Sequence, residues 1–228
     1  SKTKFIIINS PNNPTGRVMS KEELLQIADL ARENPNINIL SDEIYELILK
    51  KEFKHYSLSS LANDLKDRIF IINGFAKGWA MTGWRIGYLV GPKDVIKASS
   101  ALQSQSTSNV CSFVQKGALE ALKINNEFFS MINSHYDQRR SLLYEGLKNI
   151  NGIYIEEPNG AFYAFPKLPN SSITSVDFCN KALQDYGLVV VPGKAFGADQ
   201  CIRISCAASE IKIKDGLQRI ENAICEYY

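Results

Sequence analysis

Residues 5–41 read FIIINSPNNPTGRVMSKEELLQIADLARENPNINILS. The stretch opens on the apolar run Phe5–Asn9 and closes on a second, Ile37–Ser41. Between them Ser20 stands three residues before Glu23, the spacing of a capping box at a helix start. Leu24, Leu25, Ile27, Ala28 and Leu30 then recur at helical spacing and give that helix a core-facing stripe. Strand, helix, strand with continuously apolar strands predicts an α/β domain with a mostly parallel sheet. Two more apolar runs, Ile69–Asn73 and Ile86–Val90, extend the pattern to four buried strands. Ligand groups on such sheets lie past the carboxyl ends of the strands.

The texture changes near residue 124. Asn125 to Ile150 reads as one long helix with Phe128, Phe129, Ile132, Tyr136, Leu143 and Leu147 among its apolar positions. Short strands are expected near Ile153–Ile155, Ala161–Phe165, Leu188–Val191 and Ile202–Cys206, with helices near Thr174–Tyr186 and Ser209–Tyr227. The expected organisation is therefore a larger α/β domain over 1–123 and a smaller α+β domain over 124–228.

Composition narrows the class of function. The 228 residues are 45% hydrophobic and 22% charged, as in ordinary soluble domains. A net charge of +2 gives no broad pull toward nucleic acid or an anionic membrane. No apolar run approaches the roughly 20 residues that span a bilayer, and the opening residues do not read as a signal peptide. Five cysteines without a C-x-x-C pair read as reduced thiols of a cytoplasmic protein. Two histidines, His55 and His135, give little support for a zinc site, and His55 is expected to be structural or exposed.

The chemistry concentrates in four short motifs. Ser10-Pro11-Asn12-Asn13-Pro14-Thr15-Gly16 follows the first strand, and Ser41-Asp42-Glu43-Ile44-Tyr45 ends the second. Asn73-Gly74-Phe75-Ala76-Lys77-Gly78-Trp79-Ala80-Met81-Thr82-Gly83-Trp84-Arg85 follows the third, and Cys201-Ile202-Arg203-Ile204-Ser205-Cys206 lies near the C-terminus. Lys77 sits among small residues, where a lysine can shed water and its proton and attack a carbonyl. Arg85, eight residues on, has the planar fork that grips a phosphate. Together they point to a lysine that carries pyridoxal phosphate as a Schiff base. In the fourth motif, strand alternation puts Arg203 on the face opposite Ile202 and Ile204. Each residue also has a plain structural alternative: a surface lysine for Lys77, a helix N-cap for Asp42, a core tyrosine for Tyr45, turn chemistry for Asn13, a surface arginine for Arg85 and a salt-bridged arginine for Arg203.

In this order the four motifs resemble the class I/II aminotransferases of the fold-type I, pyridoxal-phosphate-dependent group. The likeness is to the bacterial and plastid type of aspartate aminotransferase, whose active-site segment reads N-G-x-[AS]-K-x-[FYW]-A-M-T-G-W-R-I-G-Y. The resemblance implies that Lys77 bonds the cofactor and then moves a proton, with Asp42 against the pyridine nitrogen. It gives Tyr45 and Asn13 the phenolic oxygen, Arg85 the phosphate, and Arg203 with Asn13 the substrate carboxylate. Glu43 is left as a structural neighbour, and Tyr163 and Phe165 as strand packing. The implied reaction is aspartate:2-oxoglutarate transamination by a ping-pong route, in a cytoplasmic or plastid-stromal homodimer acting on amino acids and 2-oxo acids. Aromatic, kynurenine-type or prephenate aminotransferase activity is the alternative reaction, and a cofactor-binding regulatory module the alternative class. Two departures stand out: Gly74 and Ala76 replace hydroxyl residues that many relatives carry before the lysine, and Ala98 to Gln115 holds no lysine or arginine. The resemblance starts well inside the family's large domain. The chain is thus expected to be the C-terminal portion of such an enzyme and inactive alone.

Overall fold

A computed structural model describes residues 2–169 and 173–228. The chain divides into two compact units. The first comprises 1–11, 18–49 and 54–130, and the second 12–17, 50–53 and 131–228. The dividing point at 130/131 falls within one long helix.

The first unit is built on a four-stranded sheet of order β1-β2-β3-β4: β1 (Phe5–Asn9), β2 (Asn38–Asp42), β3 (Ile69–Gly74) and β4 (Gly87–Val90). The first three strands run parallel, as their crossover segments require, and β4 runs antiparallel to β3. Helix α1 (Lys21–Glu33) connects β1 to β2 and starts on the expected capping box. The Ser20 hydroxyl accepts the Glu23 N–H, and the Glu23 carboxylate accepts the Ser20 N–H. The short helix α2 (Leu58–Leu61) and a 3-10 turn, Asn63–Leu65, lead into β3. Leu24, Ala28 and Ala31 of α1 pack with Leu58, Ala62 and Leu65 on Ile8, Ile39 and Ile69, which share one sheet face. Helices α3 (Lys93–Ser106) and α4 (Ser112–Ala121) follow β4.

Two of the four strands depart from the expected burial. β4 is largely exposed, and in β1 only Ile8 is fully buried. Both are edge strands, so each pairs on one side only. The second sheet face presents Phe5, Ile72 and Ile7, the last 70% exposed. Apolar sequence marked these runs as strands but did not guarantee cover on both faces.

Helix α5 (Asn126–Lys148), which enters the second unit at residue 131, is the long helix read from its apolar spacing. A three-stranded antiparallel sheet of order β5-β7-β6 follows: β5 (Tyr163–Ala164), β6 (Val191–Pro192) and β7 (Ile202–Ser205). Helices α6 (Ser175–Tyr186) and α7 (Glu210–Tyr227) complete it. Leu143 and Leu147, Phe178 and Ala182, Ile202 and Ile204, and Ile213, Ile220 and Ile224 form its core. The strand expected at Ile153–Ile155 is reduced to a single bridge, Tyr154 to Lys167.

Candidate active site

In the first unit the expected residues gather at the strand ends, as parallel topology dictates. Asp42 is the last residue of β2. Its main-chain oxygen accepts the Ser10 N–H and the Asn9 side-chain amide, which ties the ends of β1 and β2 together. Its carboxylate accepts the Ile44 N–H at 3.2 Å, closing an Asx turn. The chain then continues as turns through Leu47 rather than as a helix, so Asp42 is no helix cap. Partial burial pushes the Asp42 carboxyl above its ordinary pKa; the Ile44 N–H opposes this and the neighbouring Glu43 charge adds to it. Tyr45 is buried, and the Lys77 ammonium lies 5.8 Å from the centre of its ring. Phenol, lysine and carboxylate therefore line consecutive strand ends of one sheet.

The loop that carries Lys77 is anchored by its aromatic residues. Phe75 and Met81 are buried against Ala118 and Ala121 of α4, with Trp79 and Ile86 beside them. The Trp79 indole donates to the Ala121 carbonyl at 3.1 Å. Trp84 lies where a side chain on Gly117 would sit; a Cβ there would come within 2.3 Å of its ring. Two non-glycine residues of the loop, Ala80 and Arg85, hold φ of +55° and +54°. Left-handed backbone at such residues costs about 1–3 kcal/mol each and concentrates at functional sites. Arg85 stands outside the exposed strand β4. It is exposed in the loop before β4 and donates to the Thr82 carbonyl at 2.9 Å, leaving most of its guanidinium fork to solvent. The replacement of a hydroxyl by Gly74 now has a steric reason. A Cβ at 74 would meet the Gly87 Cα at 2.7 Å and the Ile86 oxygen at 2.9 Å across the β3–β4 pair.

Behind this turn stands a polar cluster whose sequence signal was weak. Glu43 is buried; one carboxylate oxygen accepts the Ser41 and Ser57 hydroxyls at 2.8 and 2.9 Å, and the other faces His55 Nε2 at 3.2 Å. Glu46 accepts the Asn73 side-chain amide at 2.6 Å, and Asn73 in turn accepts the Gly74 N–H. Burial pushes Glu46 above its ordinary pKa, against the pull of Asn73 and His55.

The second unit brings Asn13 and Arg203 together. The Arg203 guanidinium, on β7, donates to the Asn13 side-chain oxygen at 2.9 Å. It lies over the rings of Tyr163 and Phe196, at 4.6 and 5.1 Å from their centres. Stacked rings fix the plane of a guanidinium. The Asn13 turn is itself built locally. Asn12 accepts the Thr15 N–H and hydroxyl, Gly16 holds φ of +72°, and the Gly16 carbonyl accepts from Asn159 and Gly160. Tyr163, expected as strand packing, stands beside Arg203 instead, and Phe196 escaped sequence reasoning, because strand packing and guanidinium stacking use the same residue types.

The parallel-rich sheet with lysine, carboxylate and phenol at its strand ends defines an α/β domain of the aminotransferase type. The chain belongs to the aminotransferase class I and II family, whose profile matches residues 1–220. It is 42% identical to a probable aspartate/prephenate aminotransferase of Rickettsia felis, over 97% of this chain and 57% of the relative. The aspartate aminotransferase structure from Rhizobium meliloti superposes with a TM-score of 0.92 at 35% identity, over 98% of this chain and 58% of that one. An aromatic aminotransferase structure from Pyrococcus horikoshii OT3 gives 0.92 at 36% identity, over 99% and 61%. The chain thus spans somewhat more than half the length of the relatives it matches.

Proposed function

We propose that this chain carries catalytic residues of a pyridoxal-phosphate-dependent aminotransferase that moves the amino group of aspartate to 2-oxoglutarate. The observation that carries the reading is the Lys77 amine held above the buried Tyr45 ring, one turn from Asp42. Donor chemistry fits the cofactor group by group: a primary amine for its aldehyde, a phenol for its phenolic oxygen, a carboxylate for its ring nitrogen and an exposed guanidinium for its phosphate. When bound, that cofactor supplies an electron sink for the bonds at the substrate's α-carbon.

The chain's own residues then divide the work. Asp42, as a carboxylate, would keep a proton on the cofactor's ring nitrogen. Tyr45 and Asn13 donate hydrogen bonds to the phenolic oxygen. Arg85 holds the phosphate. Lys77 would take and return the substrate's α-proton as general base and acid. Arg203, its plane fixed by Tyr163 and Phe196, grips the substrate α-carboxylate through two parallel N–H donors, with Asn13 beside it. Residues 1–123 serve as part of the cofactor domain and 124–228 as the small domain. Exposed apolar side chains on α3 and α4, among them Leu102 and Phe113, support a homodimer. Among the described residues no helix is long and apolar enough to cross a membrane. All five cysteines are free thiols, which fits a reducing compartment, cytoplasmic or plastid-stromal.

The names of the Rickettsia felis and Pyrococcus horikoshii relatives favour a second substrate reading, prephenate or an aromatic amino acid. Comparing kcat/KM for aspartate, prephenate and phenylalanine separates the two. For the reading as a whole, the native protein is loaded with pyridoxal phosphate, reduced with borohydride and mapped by peptide mass. The label is expected on Lys77; labelling at another lysine overturns the assignment.

A further inference from the structure

Two buried or half-buried carboxylates and an imidazole crowd one small space in the first unit. Single ligand atoms of Glu43, Glu46 and His55 all lie within 4.8 Å of one another. Two carboxylates this close cannot both keep full charge without compensation. The partners already described show where compensation comes from. Glu43 accepts two hydroxyls on one oxygen, and its other oxygen faces His55 Nε2 at 3.2 Å, so one proton lies between the oxygen and the nitrogen. His55 Nδ1 is buried and has no hydrogen-bond partner among the described residues. A metal-bound imidazole has its second nitrogen held by a partner. The orphaned nitrogen and the occupied Glu43 oxygen therefore favour a shared proton over a metal ion.

The cluster's neighbours give it a purpose. Glu43 directly follows Asp42, and Glu46 directly follows Tyr45. Through Asn73, Glu46 also braces the end of β3, four residues before Lys77. Asp42 on β2 feels the Glu43 charge, and Tyr88 on β4 feels both glutamates. We propose that Glu43, Glu46 and His55 act as one charge-sharing unit behind the Asp42–Tyr45 turn, positioning both residues and setting the pH dependence of the cofactor site. The inference rests on the functional reading above, and Glu43, Glu46 and His55 are positioning residues within it.

The test has two arms. In the cofactor-free protein, carboxyl NMR follows the titration of Glu46. His55→Gln keeps an N–H donor but no titratable ring, and should move the Glu46 midpoint upward, because the imidazole favours the ionised form. An unmoved midpoint overturns the shared unit. In the protein loaded with pyridoxal phosphate, the pH midpoint of the cofactor's visible absorption change is measured. Glu46→Gln removes a negative charge and should lower that midpoint, whereas His55→Gln should raise it; His135→Gln should leave it in place. Opposite shifts are not produced by loosened packing, and shifts of one sign or none overturn the proposal. Thermal melts of each variant confirm folding. If wild-type protein forms no chromophore, the functional reading fails, and the charge-sharing unit is decided by the first arm alone.

Discussion

In the proposed site Arg203 carries much of the substrate side in one residue. Its guanidinium is pinned by an oxygen of Asn13 and two aromatic faces, all within the second unit. A lysine in its place keeps the charge but loses the fork and the stacking plane. Charged hydrogen bonds of this type are worth about 1.5–3 kcal/mol each. Arg203→Lys should therefore raise KM for the amino-acid substrate roughly tenfold to a hundredfold, while the borohydride label stays on Lys77. Unchanged KM would remove Arg203 from the carboxylate grip. The arginine itself was legible in the sequence, because an arginine on an otherwise apolar strand stands out. Its partners were not: Tyr163 and Phe196 lie 40 and 7 positions away, and only the folded second unit brings them to it.

At the scale of elements, the order β1-α1-β2-β3 followed from apolar runs and a capping box, because both signals are local. The direction of β4 did not, since an edge strand of either sense has the same composition. The β3–β4 pair nevertheless leaves a mark in the sequence, the facing glycines Gly74 and Gly87. A side chain at 74 meets backbone at 2.7 Å, and backbone cannot swing aside as a flexible side chain can. Gly74→Ser, which restores the hydroxyl common among similar enzymes, should thus destabilise this protein by about 1–3 kcal/mol, as overpacking does elsewhere. Chemical denaturation monitored by circular dichroism measures it. A variant as stable as wild type would show that β4 shifts to admit the side chain. The Glu43–Glu46–His55 cluster was hidden for a related reason: Glu43 and His55 each read as structural alone, and only tertiary packing brings them together with Glu46.

For the whole molecule the telling feature is where apolar surface remains. Both units bury a core of their own, yet Leu102 and Phe113 stand 72% and 71% exposed on α3 and α4. The surrounding stretch, Ala98 to Gln115, carries no charge of either sign. Large apolar side chains exposed within an uncharged stretch suit a protein contact. Fully burying one large apolar side chain is worth about 2 kcal/mol, or roughly thirtyfold in an association constant. Sedimentation velocity on the native protein should therefore show a concentration-dependent dimer. Leu102→Asp and Phe113→Asp should each weaken it by roughly that factor, because each also brings a desolvated charge to the contact. Neither residue contributes to a buried core, so thermal melts of the two variants should match wild type. A dimer that withstands both substitutions would assign its interface to another surface and leave the α3–α4 patch without the role proposed for it.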